Sequence, residues 1–161
     1  MAGYLRAADT ISGQEGKATM VYRVDGVSTV EDLFYIENLE ATIDVNKTEM
    51  YALGKRGAQN KPNGWSGSGS MTIYYVTSLF RKMILNYAKT GIPTYFDITV
   101  INKDPASSIG EQTIVLKNCS VDSIVLAKLD VETEILDEDI SFTFDDFDVL
   151  EEFDEPVLGT L

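Results

Sequence analysis

The chain has 161 residues, 44% of them hydrophobic and 10% aromatic, and a formal net charge of −13. This composition predicts one folded domain with a real core and argues against a disordered chain. Histidine is absent, which removes the usual general base and the commonest transition-metal ligand and so excludes serine triads, Cys–His dyads and histidine-built zinc sites.

The N-terminal "MAGYLRAADT" lacks the apolar core of a signal peptide, and no apolar run approaches the ~20 residues that span a bilayer, so synthesis in the cytoplasm is expected. Residues 17–24, "KATMVYRV", then meet "VSTV" across Asp25-Gly26, a strong hairpin signal. In "ENLEATIDV" the period is again two. Leu39, Ala41, Ile43 and Val45 share one face, and Asn38, Glu40, Thr42 and Asp44 the other. The stretch 54–76, "GKRGAQNKPNGWSGSGSMTIYYV", invites a nucleotide-loop reading that fails. A Walker loop needs Lys and a hydroxyl after its last glycine, whereas Gly64 is followed by Trp65-Ser66. A dinucleotide fingerprint needs a helix after its glycines, but Gly67 and Gly69 lead into an alternating strand pattern.

A flexible linker is also excluded, because the alternation runs through the glycines. Ser66, Ser68, Ser70 and Thr72 fall on one face, and Gly67, Gly69, Met71 and Ile73 on the other. Glycine weakens a strand unless a neighbour comes close, so this strand is expected to be crowded on its bare face. Upstream, "KRGAQNKPNGW" reads as a loop with a turn at Lys61-Pro62-Asn63-Gly64.

One segment breaks the period. In "TSLFRKMILNYAKTG", Leu79, Phe80, Met83, Ile84, Tyr87 and Ala88 lie at helical spacing. Thr77 or Ser78 can cap the start and Gly91 the end, while Arg81, Lys82, Asn86 and Lys89 fall off the stripe. The helix is expected to bury Phe80, Met83, Ile84 and Tyr87. "PTYFDITVI", "QTIVLKN", "VDSIVLA", "DVETEIL" and "ISFTFDDFDV" then read as strands. In the last, Ile140, Phe142 and Phe144 oppose Ser141, Thr143 and Asp145. The lone Cys119 reads as a small buried residue. "DDFDVLEEF" lacks the mid-loop glycine of an EF-hand. Charge is uneven: residues 1–128 balance 13 acids against 13 bases, whereas residues 129–161 hold 13 acids and no base. Such a chain should repel nucleic acid, and the acids at 151–155 read as a solubilising tail.

Taken in order, "TISGQEG", "NKTEMYALGKRG", "NGWSGSGSMTIYYVTSLF", "YAKTGIPTYFDI" and "DSIVLAKLDVETEILDEDISFTFDDFDV" resemble the tail-tube (core) proteins of contractile phage tails. The nearest type is that of PBSX-like defective prophages and related phage-tail-like bacteriocins. The resemblance runs from about residue 10 to 149, and "VSTVEDL" departs from it by being longer than the family's short hairpin. It implies an antiparallel β-sandwich or partial barrel with one flanking helix, no catalysis and no cofactor. It also implies hexameric rings stacked into a tube inside a sheath, with baseplate and tail-terminator proteins as further partners and DNA passing through the lumen. Assembly would take place in the host cytoplasm, ahead of incorporation into a virion or tail-like particle. Infectious phage and bacteriocin remain equally open.

Three sets of residues follow as expectations. A loop arm at about 47–65 within a single domain, carrying Lys55, Arg56, Lys61 and Trp65, should contact the neighbouring ring by charge complementarity with the acidic end. Glu40 and Asp44, with Ser66, Ser68 and Ser70, should line the lumen, and Glu132 and Glu134 come next. The acidic tail at about 149–161 should sit outside or at a ring edge. Arg81, Lys82 and Lys89 are candidates to face the sheath, with a plain solvated face as the alternative. The rival readings are a secretion-system tube of the Hcp type, a monomeric small-ligand-binding β-barrel and, last, a paired-carboxylate hydrolase.

Overall fold

The computed structural model describes residues 3–24 and 26–160. Asp25, half of the expected hairpin turn, lies outside the described residues, but the strands on either side of it pair as the sequence predicts. The elements are β1 (Gly3–Tyr4), a 3-10 turn (Ala7–Asp9), β2 (Gly16–Val24), β3 (Val27–Asp32), β4 (Ile36–Met50) and β5 (Gln59–Tyr74). The helix α1 (Leu79–Thr90) follows, then β6 (Phe96–Lys103), β7 (Glu111–Ser123), β8 (Asp137–Phe144), β9 (Asp146–Glu151) and β10 (Gly159–Thr160). The fold is thus mainly antiparallel β with one helix. The main sheet runs β3-β2-β6-β7-β8-β5-β4, with β9 added to β7, and a two-stranded ribbon joins β1 to β10.

Register explains how alternation becomes a core. Met20 stands opposite Ile98, and Ile98 opposite Leu116; Tyr22 stands opposite Phe96, and Phe96 opposite Cys119. Leu116 and Cys119 both point inward although they are three residues apart. An extra residue restores the phase: Lys117 and Asn118 together oppose Asp97, a β-bulge. Asn118 takes φ 53, a left-handed conformation that asparagine tolerates. It is pinned there by bonds from its amide N–H to Asp97 and from its side chain to Asp145, at 3.0 and 2.9 Å. The bulge redirects β7. Residues before it pair with β9, and residues after it pair with β8.

Four expectations need correction here. "QTIVLKN" and the start of "VDSIVLA" form one bent strand, β7, because the bulge bends the ladder without ending it. "ISFTFDDFDV" instead forms two strands, β8 and β9, parted at Asp145 opposite that bulge. "DVETEIL" is not a strand, since residues 124–136 have no ladder partner. The C-terminal acids are not a loose tail: Asp154 N–H donates to Ile109 O at 2.7 Å, and β10 pairs with β1.

The helix spans nearly the expected residues, with Ser78 at its N-cap and Gly91 (φ 75) as its left-handed C-cap. Phe80 and Met83 are buried against Phe96 and the rest of the core. Ile84 is only half-buried and Tyr87 is 55% exposed, because the stripe outruns the sheet beneath it. Cys119 is fully buried, as expected, and burial pushes its thiol up to about 12.

Candidate assembly surfaces

The β4–β5–β8 register joins two polar sets that are separate in sequence. Asn38 pairs with Thr72, Glu40 with Ser70, Thr42 with Ser68 and Asp44 with Ser66. On the far side of β5, Thr72 pairs with Asp139, Ser70 with Ser141 and Ser68 with Thr143. Side chains opposite one another project from the same face, so Glu40, Asp44, Ser66, Ser68 and Ser70 belong to one hydroxyl-and-carboxylate surface three strands wide. Thr72 donates to Asp139 across it at 2.6 Å. Among the described residues no element covers this face at its centre: Glu40, Asp44, Ser66, Ser68 and Ser70 are all exposed.

The reverse face carries Met71, Ile73, Ile140, Phe142 and Phe144 into the core. The two glycines of β5 sit directly against these rings. A Cβ at Gly69 would lie 2.5 Å from the Phe142 ring and 3.0 Å from the Glu40 carbonyl oxygen, and one at Gly67 would overlap Phe144. The expected crowding is therefore present, and its main cause is aromatic side chains rather than a second backbone.

Beyond Gly67, β4 and β5 leave the core as a two-stranded arm. The expected loop at 55–65 is largely strand: β5 begins at Gln59, and the connection spans residues 51–58. The expected turn at Lys61–Gly64 is instead a bulge. Val45 pairs with Trp65 and Lys47 with Pro62, so Asn63 and Gly64 (φ +95) together oppose Asn46. Pro62 is tolerated because β5 has no second neighbour there and its missing N–H faces outward. The four expected contact residues therefore separate. Trp65 packs at the root against Phe144 and Phe147, with centroids 6.2 and 5.7 Å apart, and Lys61 lies on the shaft opposite Thr48. Lys55 and Arg56 occupy the exposed tip. One side of the arm is apolar and bare, with Ile43 and Val45 exposed, and Met50, Tyr51 and Leu53 are exposed toward its end.

Arg81 does not belong to an outward cationic face. Its guanidinium donates to Glu138 Oε2 at 2.6 Å and to Val125 O at 3.1 Å, reaches Thr77 O, and stacks 4.6 Å over the Tyr75 ring. Glu138, at the start of β8, is 2% exposed, and its Oε1 has no partner. A buried carboxylate needs such a cation, which draws Arg81 inward. Helical periodicity could not reveal this, since the partner lies 57 residues downstream. Lys82 and Lys89 are exposed. Glu132 and Glu134 fall on the irregular 124–136 segment, not on a strand face.

Two further electrostatic features lie near the termini. Arg6 and Ser108 hydrogen-bond to Asp9 and hold its carboxyl well below the usual carboxylate range, tying the N-terminal segment to the loop after β6. Glu111 and Glu151 interact at the β7–β9 end beside Lys103, which lowers Glu111 and raises Glu151. Among the described residues, no group of three or more Asp, Glu, Cys or His side chains could hold a metal ion.

A family model described as "Phage tail tube protein" matches residues 3–151. The Bacillus subtilis (strain 168) protein named "Phage-like element PBSX protein XkdM" is 36% identical over 151 residues, 94% of this chain and 97% of that protein. A chain in the cryo-EM structure of an extracellular contractile injection system (PVC sheath/tube terminator, extended state) superposes with a TM-score of 0.67. It is 16% identical, and the match covers 91% of this chain and 100% of that one. A chain of the sheath–tube complex of such a system, also extended, gives 0.64 at 17% identity, covering 89% and 93%. At these identities the structural likeness shows the fold alone.

Proposed function

The chain belongs to the phage tail tube protein family, and from that premise we propose that it forms the inner tube of a contractile tail as hexameric rings stacked around a channel. It is a structural component of a virion or tail-like particle, and no reaction is proposed for it. The observation that carries the reading is the sheet of β4, β5 and β8, one face of which packs the core while the other carries Glu40, Asp44, Ser66, Ser68 and Ser70, all exposed. In a ring this second face is the lumen wall. Glu40 and Asp44, repeated around the axis, make the channel negative, so that DNA passes without adhering.

The bare apolar side of the arm supports assembly independently. An exposed two-stranded ribbon with Ile43, Val45, Tyr51 and Leu53 in water is an aggregation hazard unless a further copy covers it. The arm therefore reaches an adjacent ring, its contact is heterologous, and the stack propagates. Sheath, baseplate and terminator proteins are the outer partners, and assembly takes place in the host cytoplasm.

The test is sedimentation velocity with negative-stain microscopy of the concentrated protein. Rings and tubes are expected from the full chain. A chain in which residues 52–57 are replaced by Asn-Gly should give rings or single subunits and no tubes. A full chain that stays monomeric, or a shortened one that forms tubes of normal length, overturns the reading.

A further inference from the structure

The segment 124–136 is the part of the chain whose sequence and structure disagree most. "VLAKLDVETEIL" alternates like a strand, yet it has no ladder partner. It is nonetheless held in a definite shape. At one end Arg81 binds Val125 O; at the other Tyr75 N–H donates to Leu136 O at 3.0 Å, and Lys128 Nζ reaches Asp137 O at 2.8 Å. In the middle Asp130 accepts bonds from Glu132 N–H and the Thr133 hydroxyl, at 3.0 and 2.6 Å. The buried Arg81–Glu138 pair thus anchors a strap. What the strap presents is apolar and acidic: Leu129 and Val131 are 92% and 94% exposed, beside Glu132 and Glu134.

The arm tip has the complementary character. Leu53 and Tyr51 are exposed there next to Lys55 and Arg56. Strand register places the two features at opposite ends of one strand. Gln59, at the tip end of β5, pairs with Met50, whereas Tyr74, at its other end, pairs with Asp137, where the strap ends. The strand is sixteen residues long, so its ends lie about 50 Å apart at roughly 3.3 Å per residue. Tip and strap cannot meet within one molecule. They can meet between copies stacked head to tail, each hiding the other's exposed aliphatic side chains and pairing its charges.

We propose that the 124–136 strap is the receptor for the arm tip of a second copy of this chain in the adjacent ring. The inference rests on the tube reading and adds its acceptor surface. The Glu40–Asp44 face, by contrast, carries carboxylates but no exposed aliphatic side chains among its residues. The contact also gives Arg81 a role. By fixing the strap on α1 and β8, Arg81 is a positioning residue for assembly.

Mixed cysteine cross-linking tests the proposal. Leu53→Cys and Val131→Cys alter fully exposed positions, and the native Cys119 is buried. The double variant, assembled and mildly oxidised, should give a ladder of covalent dimers, trimers and longer chains on a non-reducing gel, and each single variant should give none. Mixing the two single variants should give dimers only. Reversing the tip charges (Lys55→Glu, Arg56→Glu) should lower the cross-linked yield at least tenfold, and adding Glu132→Lys and Glu134→Lys should restore most of it. Tubes that form without a ladder, or cross-links from either single variant alone, overturn this contact and leave the tube reading standing. A double variant that stays monomeric beside a wild-type chain that also stays monomeric overturns both.

Discussion

Single residues carry much of what makes this sheet possible. Gly69 lies between the Phe142 ring and the Glu40 carbonyl with no room for a methyl group. Gly69→Ala should therefore destabilise the protein by about 1–3 kcal/mol, the usual cost of overpacking a core, measured as a lower urea midpoint with unchanged m. Unchanged stability would mean that the β4–β5–β8 packing is looser than described. Asp9 makes a pH-dependent contribution. Its folded carboxyl titrates well below the unfolded value of about 3.9, so its stabilisation is complete above that value and fades as pH falls through the folded one. Asp9→Asn should lower the melting temperature at pH 7 and narrow the gap to wild type as the pH drops below about 3.9. A gap that stays constant down to pH 2 would contradict the Arg6–Asp9–Ser108 cluster. The glycine crowding was legible in the sequence from alternation alone. The buried role of Arg81 was not, because its off-stripe position on the helix carries no information about a carboxylate on a distant strand.

At the scale of elements, periodicity located most strands and the helix because each buries one face against the rest of the chain. It failed where that condition failed. Residues 55–65 read as a loop with a turn at Lys61–Gly64 because Pro62, Asn63 and Gly64 are turn residues; they are accommodated by a bulge in a ribbon with a free edge. "DVETEIL" read as a strand because its alternation is real, but the surface that would cover its aliphatic side chains is absent from the single chain. The pinned C-terminus was invisible for a different reason: it is held by backbone bonds to Ile109 and β1, which no side-chain pattern reports. The helix was placed correctly, with its anchors narrower than expected. Phe80→Ala should cost about 3–5 kcal/mol, whereas Tyr87→Ala, at a half-exposed site, should cost far less. Equal losses in thermal denaturation would show that the helix packs along its whole stripe.

For the whole molecule, the uneven charge acquires a spatial meaning. Every base that pairs in the described residues, such as Lys117 with Asp148 and Lys128 with Asp137, serves the globular body, while Lys55 and Arg56 at the arm tip form no ion pair among the described residues. Many of the exposed acids lie on the strap, the polar sheet face and the C-terminal run, the distribution that the proposed head-to-tail stacking would use. Replacing Glu40 and Asp44 with lysine changes exposed positions and should leave folding within about 0.5 kcal/mol. Assembled tubes of that variant should hold DNA at low salt and release it as salt rises; tubes that ignore DNA at every salt concentration would remove these residues from the channel. Whether the face bearing Glu40, Asp44, Ser66, Ser68 and Ser70 is the channel wall, as proposed, is measured by a helical cryo-EM reconstruction of tubes grown from the purified protein. Density for β4, β5 and β8 is expected at the innermost radius with those side chains pointing to the axis. The same strands at the outer radius, with Glu40 and Asp44 facing away from the axis, would contradict the proposal.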